Sequence, residues 1–338
     1  MKKAFDSDKY FRLQKEKIAD RISKFSNGKL YLEIGGKFLY DGHAERVLPG
    51  FDPEVKVKIL MSLGIKFDIL FCIISKELNE GRVWKSDESY EETVLKTLKE
   101  IENTKLPRPK IAVNLYEPNP KTLAFEEKLK GLGFTVYTRY KIEGYPGDVG
   151  HVVSKEGFGK DEYIETDTNL VVVVGVGSQS GKMSTCLGQV YLDSIHGLDS
   201  GYAKYETFPI WNRPLDHPAN LAYEAATADI GDYNVYDRFH EAHYGVKAVN
   251  YNRDVEAFPI IKKLIDTTVS KENFMRTYAS PTDMGISSTG ECIVSEKDVQ
   301  IAAEEEIERR LNDYRAILKA GKGKNKWVYK CIRLLKQL

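Results

Sequence analysis

The chain has 338 residues, which at about 150 residues per domain predicts roughly two domains. Its 50 Lys and Arg against 50 Asp and Glu leave no net charge, so no cationic surplus draws it to nucleic acid or to an anionic membrane. With 42% hydrophobic and 30% charged residues the composition excludes disorder, and a chain of this length buries a sizeable core without staples.

In chain order, Asp8 to Phe25 carries apolar residues at helical spacing (Phe11, Ile18, Ile22, Phe25), and Asn27-Gly28 ends the helix. Lys29 to Ile34 reads as a strand closed by Gly35-Gly36. Asp52-Pro53 opens the next helix, with Asp52 as N-cap. Phe67 to Ile74 is a continuous apolar run, the mark of a strand covered on both faces, with Cys72 as a core residue. Ser89 to Glu102 is a helix with a capping box from Ser89 to Glu92. Lys110 to Leu115 is a strand, Pro120 to Gly131 a helix and Phe134 to Thr138 a strand. Leu170 to Val174 is a strand followed by glycines and a helix from about Gly181 to Ile195.

Strands separated by helices imply parallel crossovers, hence an α/β fold with a largely parallel, helix-covered sheet. Ligands in such sheets bind beyond the carboxyl ends of the strands. After about residue 205 the pattern changes: a proline-punctuated loop with Trp211 and Asn212, then helical stretches at His217 to Asp229, Asp254 to Val269 and Ser295 to Ala320. The expected organisation is an α/β domain over 1–205 and a mostly helical domain over 206–338. The stretch Arg309 to Leu338 is basic and reads as a solvated tail, with a nucleic-acid contact as the alternative.

The four cysteines, Cys72, Cys186, Cys292 and Cys331, are far apart, so neither a disulfide framework nor a zinc site is expected. No apolar stretch follows the first lysines and no run approaches about 18 apolar residues, so neither a signal peptide nor a membrane span is predicted and the expected compartment is the cytoplasm.

The main chemical signal is the run from Val171 to Thr185, VVVVGVGSQSGKMST. A buried strand, small residues, a helix N-terminus and a lysine follow one another in the order that a phosphate cradle needs. Gly175, Gly177, Ser178, Ser180, Gly181, Lys182, Ser184 and Thr185 are the candidate phosphate-binding residues. The spacing departs from the P-loop pattern: five residues separate Gly175 from Gly181, three separate Gly177 from Gly181, and Met183 stands where a magnesium-binding Ser or Thr belongs. A one-residue shift turns a helical side chain by about 100°, so Ser184 does not simply substitute. No apolar strand ending in Asp supplies a partner carboxylate, and a structural strand-to-helix turn is the alternative reading.

The loop after the first strand carries Lys37, Asp41, His43, Glu45 and Arg46. In a parallel sheet it opens on the same edge as the glycine loop, so Lys37 and Arg46 are candidates to bind an anion with Lys182, and His43 to act as acid or base. Asn250, Asn252, Arg253 and Asp254 are candidate substrate ligands, and Asp283, Asp254 or Glu224 a candidate base; each also fits caps and turns. His240 and His243 lie three apart but lack a third ligand, and no metal site is assigned. No GxSxG elbow and no Cys–His pairing suggests a nucleophile.

Several blocks together, GGKFLYDGHAERVLPGFDP, GYPGDV, the glycine-rich run, PIWNRPLDHPANLAYEAATAD, AVNYNRDVEAFP and SPTDMG, resemble the bacterial uncharacterised protein family 0371, also catalogued as domain of unknown function 1846. The likeness covers nearly the whole chain. It implies a cytoplasmic α/β protein with a further C-terminal domain, before which this chain would stop, leaving out any site that the domain completes. The family's glycine-rich run matches Gly175 to Thr185 and its pattern matches His240 but not His243. It brings no assigned reaction and no catalytic residues.

The leading expectation is an enzyme, such as a phosphotransferase or an NTP-dependent enzyme, that binds a nucleotide or other phosphorylated small molecule, with magnesium as a candidate companion. Lys182, His43 and Asp283 are its candidate catalytic residues. A non-catalytic anion- or nucleotide-sensing scaffold is the alternative. The expected partner is that small molecule, without nucleic acid or membrane, and self-association into a homo-oligomer stays open.

Overall fold

The computed structural model describes residues 3–80, 88–177 and 179–338. Its elements in chain order are α1 (Ser7–Ser23), β1 (Leu30–Ile34), α2 (Gly42–Val47), α3 (Val55–Ser62), β2 (Asp68–Ile74), α4 (Ser75–Glu80), α5 (Tyr90–Glu102), β3 (Lys110–Tyr116), α6 (Pro120–Gly131), β4 (Val136–Tyr140), α7 (Val149–Val152), β5 (Leu170–Gly175) and α8 (Lys182–Ile195). There follow β6 (Gly201–Tyr205), α9 (Pro218–Ala226), β7 (Asn234–Tyr236), α10 (Arg238–Tyr244), β8 (Val249–Tyr251), α11 (Asn252–Thr268), α12 (Pro281–Met284), β9 (Gly285–Ile286), α13 (Glu296–Lys319) and α14 (Asn325–Leu335).

Seven strands form one parallel sheet in the order β4-β3-β2-β5-β1-β6-β9, confirming the α/β class. β2, β5 and β1 are the apolar runs of the sequence, and they occupy the middle because only a strand covered on both faces tolerates such uniform hydrophobicity. The connection out of β1 leads to β2, past β5, while the connection out of β5 leads to β6, past β1. Right-handed crossovers running in opposite senses lie on opposite faces, so a crevice opens beyond the carboxyl ends of β5, β1 and β6.

Local chemistry sets the helix starts. Ser89 and Glu92 form the capping box of α5, and Asn119 caps α6 ahead of Pro120. Asp52 is not the N-cap of the third helix: α3 begins at Val55, and Asp52 instead accepts the Glu54 N–H at 3.0 Å and pairs with Lys58 at 2.5 Å. The stretch read as a loop after β1 contains α2, whose first turn is capped by Asp41 accepting the Ala44 N–H at 3.2 Å. The fourth strand runs Val136–Tyr140, two residues later than its apolar pattern suggests.

Past residue 205 the three expected helices are α9, α11 and α13, and to them the fold adds the antiparallel pair β7–β8 and the edge strand β9, which pairs with β6. The basic C-terminal stretch is not a solvated tail. It forms α14, in which Val328, Cys331 and Leu334 recur at helical spacing and are buried against α13 and α9. A single apolar cluster extends from Ala4 through the sheet to Leu334. All four cysteines are buried thiols. Among the described residues no helix is long and apolar enough to cross a membrane.

The side chain of Glu306 on α13 is fully buried and gathers one imidazole and three guanidinium groups: His43 Nδ1 at 3.0 Å, Arg46 Nε at 2.7 Å, Arg309 Nε at 2.7 Å and Arg310 Nε at 3.0 Å. Burial alone would raise its carboxyl, yet His43, Arg309 and Arg46 hold it well below the usual carboxylate range. It joins α13 to α2 and therefore to the sheet. Glu306→Ala strands His43 and Arg310 and should cost about 3–5 kcal/mol, read as a lower urea midpoint at pH 7. A carboxyl whose folded pKa is depressed contributes stability above its unfolded value of 4.5 and loses it as the pH falls. The gap between variant and parent should therefore narrow in acid; an unchanged midpoint at pH 7 would show that the cluster holds nothing together.

Candidate functional site

The glycine loop begins where β5 ends and finishes on α8. A Cβ on Gly175 would meet Ser180 Oγ at 2.3 Å, so only glycine lets the loop fold back on its own strand. Gly181 has φ +83° and lies against Asn114 of β3, where a Cβ would sit 2.7 Å from Cγ. Asn114 is the buried anchor: its Nδ2 donates to Ser180 O at 3.0 Å, and its Oδ1 accepts from Arg139 Nε at 3.1 Å and from Thr185 Oγ1 at 3.0 Å. Arg139 in turn donates to Ser184 O at 2.9 Å and pairs with Asp161 at 2.9 Å.

Other carbonyls of the loop are held as well. Lys37 Nζ reaches Val176 O at 3.3 Å and Lys182 Nζ reaches Gly177 O at 3.4 Å. A planar trans peptide points its N–H away from its C=O. The N–H groups of Gly177 and Gly181 therefore turn away from the groups that hold the carbonyls of Val176 and Ser180. α8 has no side-chain cap at its N-terminus, where Gly181 takes the cap position.

Gln179 to Ser184 line a cavity of about 400 Å³ in the crevice beyond β5, β1 and β6. Glu33 of β1, Lys204 of β6, Glu206 just after it, and Arg253 and Asp254 of α11 line the same cavity, with Tyr145, Tyr223 and Tyr251. Lys182 Nζ stands 3.7 Å from Glu33 Oε1, whose other oxygen accepts from Tyr202 OH at 2.8 Å. Lys204 is ion-paired with Asp254. Burial disfavours the Lys204 ammonium, but Asp254, Glu33 and Glu206 outweigh it and raise the group above an ordinary lysine. Burial pushes the Glu206 carboxyl up to about 8, with Asp254 and Glu33 adding to the shift and Lys204 opposing it. At neutral pH the Glu206 carboxyl therefore keeps its proton, in a cleft whose other charged residues are Glu33, Lys182, Lys204, Asp232, Arg253 and Asp254.

The sequence candidates divide. Ser180, Gly181, Lys182, Ser184, Arg253 and Asp254 lie at this cleft, while Gly175 packs against Ser180 and Cys72 and, like Gly177, does not line it. Ser178 lies outside the described residues. Thr185 faces the core, donating to Gly181 O at 3.0 Å and Asn114. Lys37 sits beneath the loop, its pKa lowered by burial against the pull of Asp41. His43 and Arg46 are taken up by Glu306; His43 packs against Tyr223, one ring behind the cavity wall, and burial lowers its pKa. Asn252 accepts the Tyr233 N–H at 3.1 Å. Asn250 and Asp283 line a second cavity, with Asn250 bonded to Thr282 and Asp283 closing the capping box of α12. Glu224 accepts the Asn234 N–H and pairs with Lys330 and Arg333 of α14. His240 is buried against Ser280 at 3.1 Å while His243 is exposed.

Glu33, Lys204 and Glu206 were not legible as site residues. Glu33 is the one charged position in LYLEI, and Lys204 belongs to, and Glu206 follows, a strand that the apolar pattern does not announce. A charged residue interrupting a buried strand near its carboxyl end is the signal that both strands carried. Glu33, on the strand next to β5, is the carboxylate that pairs with Lys182. Among the described residues no three His, Cys, Asp or Glu groups gather as a metal site.

The family model described as Domain of unknown function DUF1846, N-terminal, matches residues 3–338. A UPF0371 protein of Streptococcus pyogenes serotype M5 is 45% identical over 309 residues, covering 91% of this chain and 61% of that protein. A UPF0371 protein of Streptococcus thermophilus is 43% identical over 311 residues, covering 91% of this chain and 62% of that protein. The chain thus spans about three fifths of the length of these curated relatives.

Glu206 makes a stability test of the cleft's electrostatics. Its folded pKa of about 8 lies above the unfolded value of 4.5, so between those values the unfolded chain ionises this carboxyl first and the parent loses stability as pH rises. Glu206→Gln cannot ionise. Its melting temperature should climb relative to the parent from pH 5 to pH 9, and parallel curves would mean that the carboxyl is ordinarily solvated.

Proposed function

The chain belongs to the DUF1846 family, also designated UPF0371, and we propose that it is an enzyme acting on a nucleotide or other phosphorylated small molecule. The backbone from Gln179 to Gly181 and the N-terminus of α8 bind the phosphate, and Lys182 supplies the full positive charge. The observation that carries this reading is that one crevice holds both the end of the glycine-rich loop with its lysine and a carboxyl that burial keeps protonated at neutral pH. Glu206 is the proton donor of that site, since a carboxylic acid poised near the working pH serves as general acid.

Lys204 holds a fixed positive charge beside it, through its pair with Asp254. Charge that develops on a transferred phosphoryl or leaving oxygen would meet Lys182 and Lys204. Glu33 and Asp254 are the groups that a magnesium ion carried in on phosphate oxygens would meet. Lys182 exchanges its contact with Glu33 for the phosphate, so the loop is kept neutral until the ligand arrives.

One observation favours a second reading, a sensor that binds an anion and catalyses nothing: the loop carbonyls and Lys182 are already tied within the protein. Thermal shift with ATP, GTP and inorganic phosphate, each with and without magnesium, separates the two. Saturation at 100 times Kd stabilises by about 2.7 kcal/mol. Stabilisation by a nucleotide that requires magnesium supports the enzyme, and an equal response to every anion supports the sensor. Lys182→Ala should abolish the shift while leaving the circular dichroism spectrum unchanged; a variant that responds like the parent removes the loop as the site.

A further inference from the structure

A second cavity, of about 560 Å³, adjoins the edge of the sheet at β6 and β9. Glu206 lines it as well as the phosphate cleft, so this one carboxyl stands between the two. Its walls come from α1 and from the segments after residue 205, and they are aromatic: Trp211, Tyr244, Phe274 and Tyr278.

The polar groups among these rings are mostly spent on one another. Lys17 is held by Glu291 at 2.6 Å and by Ser287 O at 3.0 Å. Arg21 donates to Tyr278 OH at 2.9 Å and to Asp283 O at 3.1 Å. Lys17 is therefore ion-paired, while Arg21 is held by neutral oxygens and lies over the rings of Phe274 and Tyr278, 5.5 and 5.3 Å from their centroids. Acceptors are in better supply. Asp283 Oδ2 receives Tyr244 OH at 3.1 Å and two backbone N–H groups, while Oδ1 has only the His240 Nδ1 at 3.8 Å. Glu16 has no hydrogen-bond or ion-pair partner among the described residues.

Ring faces with acceptors between them, and cations whose donors are already engaged, suit an uncharged ring that carries hydroxyl donors. We propose that this cavity binds the sugar ring of the substrate whose phosphate occupies the glycine loop, the molecule passing Glu206 between its two ends. The proposal rests on the phosphate reading above. A hexose phosphate or the ribose of a nucleotide supplies the same hydroxylated ring, and the ligands of the test distinguish these sources.

The test is a titration of the parent, Trp211→Ala and Lys182→Ala with inorganic phosphate, a set of pentose and hexose phosphates, and the four nucleoside monophosphates. The parent should bind at least one sugar-bearing ligand ten-fold or more tighter than inorganic phosphate. Tightest binding among the simple sugar phosphates identifies a sugar phosphate, and tightest binding among the monophosphates a nucleotide. Trp211→Ala should remove that advantage while inorganic phosphate binds as to the parent, and Lys182→Ala should weaken every ligand. Quenching of tryptophan fluorescence by the preferred ligand, absent in Trp211→Phe, gives a readout that does not depend on the alanine variant folding. The inference is overturned if no sugar-bearing ligand exceeds inorganic phosphate, or if Trp211→Ala leaves the preference intact. If inorganic phosphate and all the others fail to bind the parent, it is the phosphate reading that falls, and this one with it.

Discussion

An ammonium group at the carboxyl end of a buried strand has to be neutralised by whatever covers that strand. Lys204 of β6 has this requirement, and Asp254, in the first turn of α11, answers it. Their side chains are 8% and 12% exposed, a setting in which losing either partner would leave a costly charge. The pair therefore holds the start of α11 over the sheet edge and gives the cleft its far wall. Without that wall the glycine loop would open onto solvent, and Glu206 would have no reason to keep its proton.

The same logic of compensation runs through the loop. Lys37 and Lys182 hold its carbonyls from one side and Asn114 from another, which turns amides away from them. Lys182 is shared between Gly177 O and Glu33. This differs from a lysine left free beside a P-loop, and it follows from the altered spacing. With Met183 after the lysine, no hydroxyl occupies the usual cation-binding place, and the nearest carboxylate comes from the adjacent strand instead.

What could be read beforehand follows the range of each interaction. The β2 and β5 runs, the Ser89–Glu92 capping box and the Asn119-Pro120 start are local patterns, and they appear where expected. β6 and β9 did not, because GYAKY carries a lysine whose partner is 50 residues away and a two-residue strand has no pattern at all. α14 escaped notice because the lysines from Lys319 to Lys330 set the reading of a stretch in which Val328, Cys331 and Leu334 recur at helical spacing. The glycine loop, with Arg253 and Asp254, was legible by composition. Glu33 and Glu206 were not, since their significance depends on which strands become neighbours. His43 and Arg46 illustrate the reverse: a loop rich in functional residue types turned toward Glu306, which lies 260 residues from Arg46 in the chain.

The two cavities that share Glu206 draw on different parts of the chain. One is walled by the end of the glycine loop and by residues at the ends of central strands, whose packing tolerates little change. The other is made largely by short helices and turns between Pro209 and Ser287. Under the proposed function, recognition of the phosphate and selection of the molecule that bears it would draw on separate parts of the chain, and drift in those peripheral segments would alter ligand choice while the sheet keeps its packing.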